Sequence, residues 1–342
     1  MDALHPQPKA IEFAAKVIKK GGLVAFPTET VYGLGANALD PAATRKIFEA
    51  KHRPADNPLI VHIAQLRQLK TLTKMVPERV QDKLARKLWP GPVTFLLFKS
   101  QLVPDVVSGN TDKVAIRMPA HPVALALIRK AGVPIAAPSA NTSTRPSPTK
   151  ATHVLEDLKG RIDVILDGGD AFFGVESTII DCTSNPYTLL RPGAFTLEEL
   201  RKQLGGEKIR VPETVRQAKQ TKVALVPGMK YRHYAPKKPL YLIKRENLAE
   251  SPELFQDPQI GVLCSQELYQ QHYNGKTPKN VIVLGSEEDL YGVAKNLFDS
   301  LRKLDTLNVK FGIIQSFAEK GIGFAIMNRI KKAASPPGTR RN

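Results

Sequence analysis

Apolar positions recur along the chain in short blocks whose spacing changes from one block to the next. Ile11, Ala14, Ala15 and Ile18 fall at helical intervals over 9–20, and Gly21-Gly22 supply a stop. Leu23 to Phe26 is a compact apolar run leading into the turn-like PTET. Helical spacing returns at 41–51, where Ala43, Ile47 and Ala50 share a face. Strand-like runs follow at 59–63, 93–98, 114–118, 133–137, 164–166, 177–181 and 188–191, with helical segments at 77–88, 121–131 and 197–204. Alternation this irregular predicts an α/β domain whose sheet mixes strand directions.

The pattern lapses at Gly205-Gly206. Residues 206–239 are basic and proline-punctuated, hold the string PGMKYRHYAPKKP, and read as a linker. Regularity resumes over 240–333, with strand-like runs at 240–243, 260–264, 281–284 and 311–314 between helical segments near 265–273, 287–304 and 319–332. That order predicts a smaller, parallel, Rossmann-like α/β domain. The expected division is a domain over 1–205, a linker over 206–239, a second domain over 240–333 and a tail over 334–342.

Composition narrows the classes. With 42% hydrophobic and 24% charged residues, widespread disorder is excluded. No apolar run approaches the roughly 18–20 residues of a membrane helix, and the N-terminus lacks a signal-peptide core. A soluble, cytoplasmic protein without membrane partners is expected. Two cysteines, Cys182 and Cys264, exclude a disulfide scaffold and a zinc ribbon. The net charge of +18 favours an anionic partner such as a nucleotide or nucleic acid, with a generally basic surface as the plain alternative.

The familiar anion motifs are missing. No G-x-x-x-x-G-K-[ST] occurs, which excludes a P-loop. Gly33-Leu34-Gly35-Ala36-Asn37-Ala38 satisfies G-x-G-x-x-A, yet it follows PTET rather than a strand end, and the region twenty residues on is the basic KHRPADN. The histidines show no H-x-x-x-H pairing, so no protein-held metal is expected and any metal would arrive with a nucleotide, as magnesium held by its phosphates. No G-x-S-x-G elbow is present.

What the first domain offers instead is a set of polar loops at strand ends, where ligand sites of α/β domains gather. PTETVYGLG places Thr28, Glu29, Thr30 and Tyr32 on an exposed turn. KHRPADNPL carries Lys51, Arg53 and Asn57. Arg117 follows the strand VAI. PSANTSTRPS offers Ser139, Asn141, Ser143 and Ser147, GVESTI offers Glu176, Ser177 and Thr178, and LLRPG exposes Arg191. Each has an ordinary reading as well: Lys51 and Arg53 would complement a helix dipole, His62 would be a core histidine, and Arg117 would pair a structural carboxylate. Together they describe a site for a polyanion beside a small polar molecule.

PTETVYGLG, K-x-R-P-x-x-N-P-L, R-x-P after a strand, P-S-A-N-x-S, the E-S-T entering a strand and R-P-G occur in an order that resembles the threonylcarbamoyl-AMP synthase family (YrdC/YwlC type). The likeness covers about residues 8–205, and PGMKYRHYAP with the following domain resembles the family's longer, two-domain form. It implies a YrdC-like catalytic domain that condenses L-threonine, bicarbonate and ATP to threonylcarbamoyl-AMP and pyrophosphate. A downstream tRNA threonylcarbamoyl transferase would consume the product, and direct contact with tRNA is left open. By the same resemblance Thr30, His62, Arg117, Ala137 and Ser177 are assigned to L-threonine. Lys51, Arg53, Asn57, Lys113, Ser139, Asn141, Ser147 and Arg191 are assigned to ATP, with Lys51, Arg53 and Arg191 as the catalytic cations. Lys113 stands where the family often has a threonine. Tyr231, Arg232, His233 and Tyr234 form an expected lid over the nucleotide, with Tyr231 and Tyr234 touching ATP. The competing reading is a non-catalytic protein that binds tRNA or double-stranded RNA.

Overall fold

The computed structural model describes residues 7–77, 80, 84–206, 208–221, 224–231, 233–272 and 279–335. It divides into two units: residues up to 143 with 147–231, and residues 144–146 with 232 onward.

The first unit is built on nine strands: β1 (Val24–Phe26), β2 (Gly33–Asn37), β3 (Ile60–His62), β4 (Val93–Phe98), β5 (Lys113–Arg117), β6 (Ile135–Ala136), β7 (Val164–Ile165), β8 (Thr178–Asp181) and β9 (Thr188–Arg191). Their order across the sheet is β7-β1-β2-β6-β3-β5-β4-β8-β9. Pairings β1–β7, β3–β5 and β4–β8 are parallel and the rest antiparallel, which is the mixed sheet the sequence predicts. Strand β2 is not anticipated by the sequence pattern. Its second glycine is there for space: a Cβ on Gly35 would lie 2.6 Å from Ile135 Cγ2 and 2.7 Å from Phe26 Cε1. G-x-G here is a thin strand under the Phe26 ring and not a phosphate turn.

One sheet face is covered in two parts. Helices Pro8–Lys19 and Pro122–Ala131 pack Ile11, Ile18, Leu127 and Ile128 onto Val24, Phe26, Ile135 and Ala137. Further along, Ile60, Leu96, Ala115, Ile179 and Leu190 are covered by Leu225, Val226 and Met229. The proline-punctuated segment therefore contributes core to the first unit, with Val226 fully buried, and it contains a short helix, Glu213–Arg216. Of the helix expected at 77–88, Ala85–Leu88 is helical; residues 78, 79 and 81–83 lie outside the described residues, as do Arg232, residue 273 and most of the tail.

In the second unit β10 (Leu240–Ile243), β11 (Ile260–Cys264), β12 (Val281–Val283) and β13 (Phe311–Gln315) form an all-parallel sheet in the order β10-β13-β11-β12. The 17-residue helix Leu290–Thr306 buries Val293, Ala294, Leu297, Phe298, Leu301 and Leu304. Gly312 and Gly261 admit Leu304, whose methyls would lie 2.4–2.5 Å from a Cβ at either position.

Candidate active site

Strand register gathers several of the expected residues onto one face of the first sheet. His62 on β3 pairs with Arg117 on β5, and Ile60 with Ala115. Strand β4 runs antiparallel to β5 with Phe95 opposite Ile116, so one further step sets Thr94 beside Arg117. Thr94 in turn pairs with Ile179 on β8, and Ile179 with Arg191 on β9. Because side chains alternate faces along a strand, His62, Arg117, Thr94, Ser177 and Arg191 form a row across neighbouring strands.

Direct contacts tie that row together. Arg191, 5% exposed, donates from Nε to the Ser177 carbonyl at 3.0 Å and from Nη2 to Ser177 Oγ at 3.0 Å. Ser177 Oγ also shares a hydrogen bond of 2.8 Å with Thr94 Oγ1. Arg117 donates from Nη1 to Thr30 Oγ1 at 2.9 Å and from Nε to the Gly91 carbonyl at 3.3 Å, and its Nη2 stands 2.6 Å from Glu29 Oε1. Ala137, whose N–H donates to the Ile60 carbonyl at 2.9 Å, borders the same row.

The PTET turn is not exposed. Thr28, Glu29, Thr30 and Tyr32 are 2%, 7%, 0% and 0% exposed. Thr28 Oγ1 donates to the Val31 carbonyl at 2.6 Å, accepts from the Thr30 and Val31 N–H groups, and lies 2.8 Å from Thr30 Oγ1. Tyr32 donates its hydroxyl proton to the Gly169 carbonyl at 2.7 Å, and burial pushes its phenol well above the usual range. A buried polar group is tolerable when hydrogen-bonded; Thr28, Thr30 and Tyr32 meet that condition, whereas the Glu29 carboxylate has its ion pair with Arg117 instead.

A second group surrounds the end of helix Pro41–Lys51. Lys51 is 1% exposed and its ammonium donates to the carbonyls of Ser139 and Asn141. Ser139 Oγ donates to Asn141 Oδ1 at 2.6 Å. Arg53 turns back on its own loop, donating from Nη2 to the carbonyls of Asn57 and Pro58 at 3.2 and 3.1 Å. Asn57 is buried with no hydrogen-bond partner on Oδ1. The two groups meet where Ser139 bridges Gly33 and where Ser147 Oγ donates to Glu176 Oε1 at 2.7 Å, one residue before Ser177. Gly193 closes the arrangement: a Cβ there would lie 2.4 Å from the backbone of residues 176–178, so R-P-G and E-S-T are in backbone contact.

Lys113 and Tyr234 are placed differently. Lys113 sits at the opposite end of β5 from Arg117, about 13 Å away by strand rise. It is paired with Asp181 Oδ2 at 3.2 Å and stands over the Phe98 ring. Tyr234 belongs to the second unit, 5% exposed, with its ring stacked on Phe298 at 5.2 Å and Arg329 over it at 5.7 Å. The expected pair of lid tyrosines is thus split. Tyr231 lies in the first unit, and its hydroxyl donates to Asp56 at 2.6 Å beside Lys230. Sequence reasoning did not single out Thr94 or Asp56: strand register brings in Thr94, and Asp56, on the 51–59 loop, is met by Tyr231 and Lys230.

His62 is fully enclosed. Burial first, and then the Arg117 charge, lower its pKa to about 3, so the imidazole is neutral at working pH and its Nδ1–H donates to the Ile60 carbonyl at 3.2 Å. A neutral imidazole beside a guanidinium orients a polar ligand without adding charge. Among the described residues no group of three or more His, Cys, Asp or Glu side chains is placed to hold a metal ion, and no helix is long and apolar enough to cross a membrane.

Residues 16–193 match the Sua5/YciO/YrdC family model, described as telomere recombination, and residues 195–335 match a model described as threonylcarbamoyl-AMP synthase, C-terminal domain. A threonylcarbamoyl-AMP synthase of Pyrococcus abyssi is 47% identical over 332 residues, spanning 95% of this chain and 94% of the relative. The chain belongs to the threonylcarbamoyl-AMP synthase family. A Bacillus subtilis member is 45% identical over 346 residues, 97% of this chain and 95% of its own length. The crystal structure of Pyrococcus abyssi Sua5 complexed with L-threonine superposes with a TM-score of 0.87 over 96% of this chain and 95% of that one, at 47% identity. Escherichia coli YciO, at 24% identity and a TM-score of 0.50 over 56% of this chain, shares the fold. The two-domain form expected from PGMKYRHYAP is the form found. Membership makes the chain an enzyme of the adenylate-forming, nucleotidyltransferase type, and it supports catalysis over the RNA-binding alternative.

Proposed function

We propose that the row of side chains from Thr30 to Arg191 binds L-threonine and the phosphates of ATP side by side, and joins them through bicarbonate. The observation that carries this is the pair of contact chains Thr30–Arg117 and Thr94–Ser177–Arg191, set side by side by the β4–β5 register. In this reading Arg117 takes the threonine carboxylate with donors left over from Thr30, Gly91 and Glu29, as the planar guanidinium allows. Thr30, neutral His62 and Ser177 orient the hydroxyl and amine, and the Ala137 backbone closes the pocket.

The threonine amine and bicarbonate give a carbamate and water. A carbamate oxygen attacks the α-phosphorus of ATP, and pyrophosphate leaves with the electrons of the broken P–O bond. Such a transfer depends on placement and on charge stabilisation, so no nucleophilic side chain is called for. Arg191 faces the junction of the two substrates, since its contacts reach Ser177. Lys51 holds the Ser139–Asn141 loop, Arg53 stiffens the loop of Asn57, and the open Asn57 Oδ1 is an acceptor for a nucleotide N–H or O–H. Ser139, Asn141 and Ser147 complete the nucleotide side. Magnesium would arrive on the phosphates and be held chiefly by them.

Tyr231, fixed by Asp56, closes over the nucleotide, while Tyr234 anchors the following chain within the second unit. The product serves a separate transferase that modifies tRNA, in the cytoplasm. Pyrophosphate release by the purified full chain tests the proposal: it should require threonine, bicarbonate and ATP together. Release without threonine, or none with all three, would defeat it in favour of an RNA-binding role.

A further inference from the structure

Glu29 belongs to no substrate contact in the reading above, yet it is the acid closest to its cationic centre. It is 7% exposed and Arg117 is 3% exposed, and the two are 2.6 Å apart. Neither Glu29 side-chain oxygen has a well-aligned hydrogen-bond donor. A buried ion pair is weak evidence for stability, because desolvating both charges offsets most of their attraction. This carboxylate is also missing the hydrogen bonds that would offset its burial. A structural explanation alone leaves that cost unanswered.

We infer that Glu29 is the specificity-determining partner of Arg117, making the pocket electrically neutral and thereby selective for a zwitterionic α-amino acid over a simple carboxylic acid. The inference rests on the threonine reading of this site. A pocket offering Arg117 alone would hold any carboxylate. With Glu29 at Nη2, Thr30 at Nη1 and Gly91 at Nε, the guanidinium is aimed from three sides and its positive charge is matched. An incoming anion is then attracted by Arg117 and repelled by Glu29 at nearly equal range. A ligand with an ammonium one bond from its carboxylated carbon answers both charges at once. Like-charge and opposite-charge terms at such distances in a dry site are worth about 10- to 100-fold in affinity. Glu29 acts here through Arg117 and through the field in the pocket, as a positioning residue.

The test compares two ligands by calorimetry on the full chain: L-threonine, and the 2,3-dihydroxybutanoate of matching configuration, in which a hydroxyl replaces the ammonium. The native chain should prefer threonine by about tenfold or more. Glu29→Gln should bring the two affinities together, with the hydroxy acid binding as well as or better than it does to the native chain. Glu29→Asp keeps the charge and should keep the preference while weakening threonine. A native chain that binds both ligands equally overturns the inference without any variant, as does Glu29→Gln with an unchanged ratio. A native chain that binds neither defeats the threonine reading itself, and this inference with it.

Discussion

Arg191→Lys isolates geometry from charge at the junction of the two proposed substrates. The native guanidinium spreads three hydrogen bonds over Ser177 O, Ser177 Oγ and Pro227 O, at 3.0, 3.0 and 3.4 Å. A lysine ammonium on a flexible stem keeps the positive charge but not that fork. Losing the equivalent of two charge-assisted bonds inside a site 5% exposed costs about 2–4 kcal/mol. For a unit of this size that is roughly a 5–15 °C fall in melting temperature. The kinetic effect follows from what the bonds hold. Ser177 loses its fixed rotamer, and the Pro227 stretch loosens beside buried Val226. A misplaced stabilising group commonly costs about 10²-fold in turnover. Pyrophosphate release should therefore drop by about that factor, with kcat affected more than the threonine KM. Differential scanning calorimetry and a coupled pyrophosphate assay read the two effects. If Arg191→Lys melts and turns over like the native chain, the fork is dispensable, and one of the two contact chains that carry the proposed function loses its end.

Arg117→Ala should abolish threonine-dependent turnover and also destabilise the chain by about 3–5 kcal/mol, because it leaves Glu29 buried and unpaired; adding Glu29→Gln should restore the melt but not the activity, and recovery of activity would remove Arg117 from its role. Acid titration should show the His62 signature. Its folded pKa of about 3 lies below the ordinary 6.5, so the unfolded chain takes up the proton first. Stability falls as pH drops from about 6.5 towards 3, by at most about 1.4 kcal/mol per unit; His62→Gln should flatten that limb, and an unchanged slope in urea melts would contradict the burial argument. Tyr231→Ala should raise the ATP KM or release free AMP through adenylate hydrolysis, whereas Tyr231→Phe reports the Asp56 contact alone; native kinetics in both would rule out closure by this residue.

The sequence pattern conveys the strands well where apolar β-formers cluster, as at Val93–Phe98 and Ile260–Cys264. It misses β2 because Gly-Leu-Gly-Ala-Asn is selected for thinness under Phe26, which no propensity scale records. Helix Ala151–Leu158 is hidden by the polar, proline-bounded loop before it. The packing of Leu225, Val226 and Met229 is invisible for another reason: three anchors between prolines have no period. At the site, residue types at strand ends point to the right neighbourhood. Their burial does not follow from type, since Thr28, Glu29 and Thr30 look like a solvated turn until the Thr28–Thr30 hydrogen bonds and the Glu29–Arg117 ion pair are counted. Tyr231 and Tyr234 look equivalent in PGMKYRHYAP, and only tertiary structure separates the partner of Asp56 from the partner of Phe298.

Gly193 carries no functional group, and its backbone torsion is one that other residues adopt, yet any methyl there would collide with the peptide planes of residues 176–178 at 2.4 Å. A saturation scan of this chain should consequently report a dead position between two chemically active ones. That intolerance would measure clearance between two strands and nothing about reactivity, and ranking residues by mutational sensitivity would place a spacer among the catalysts.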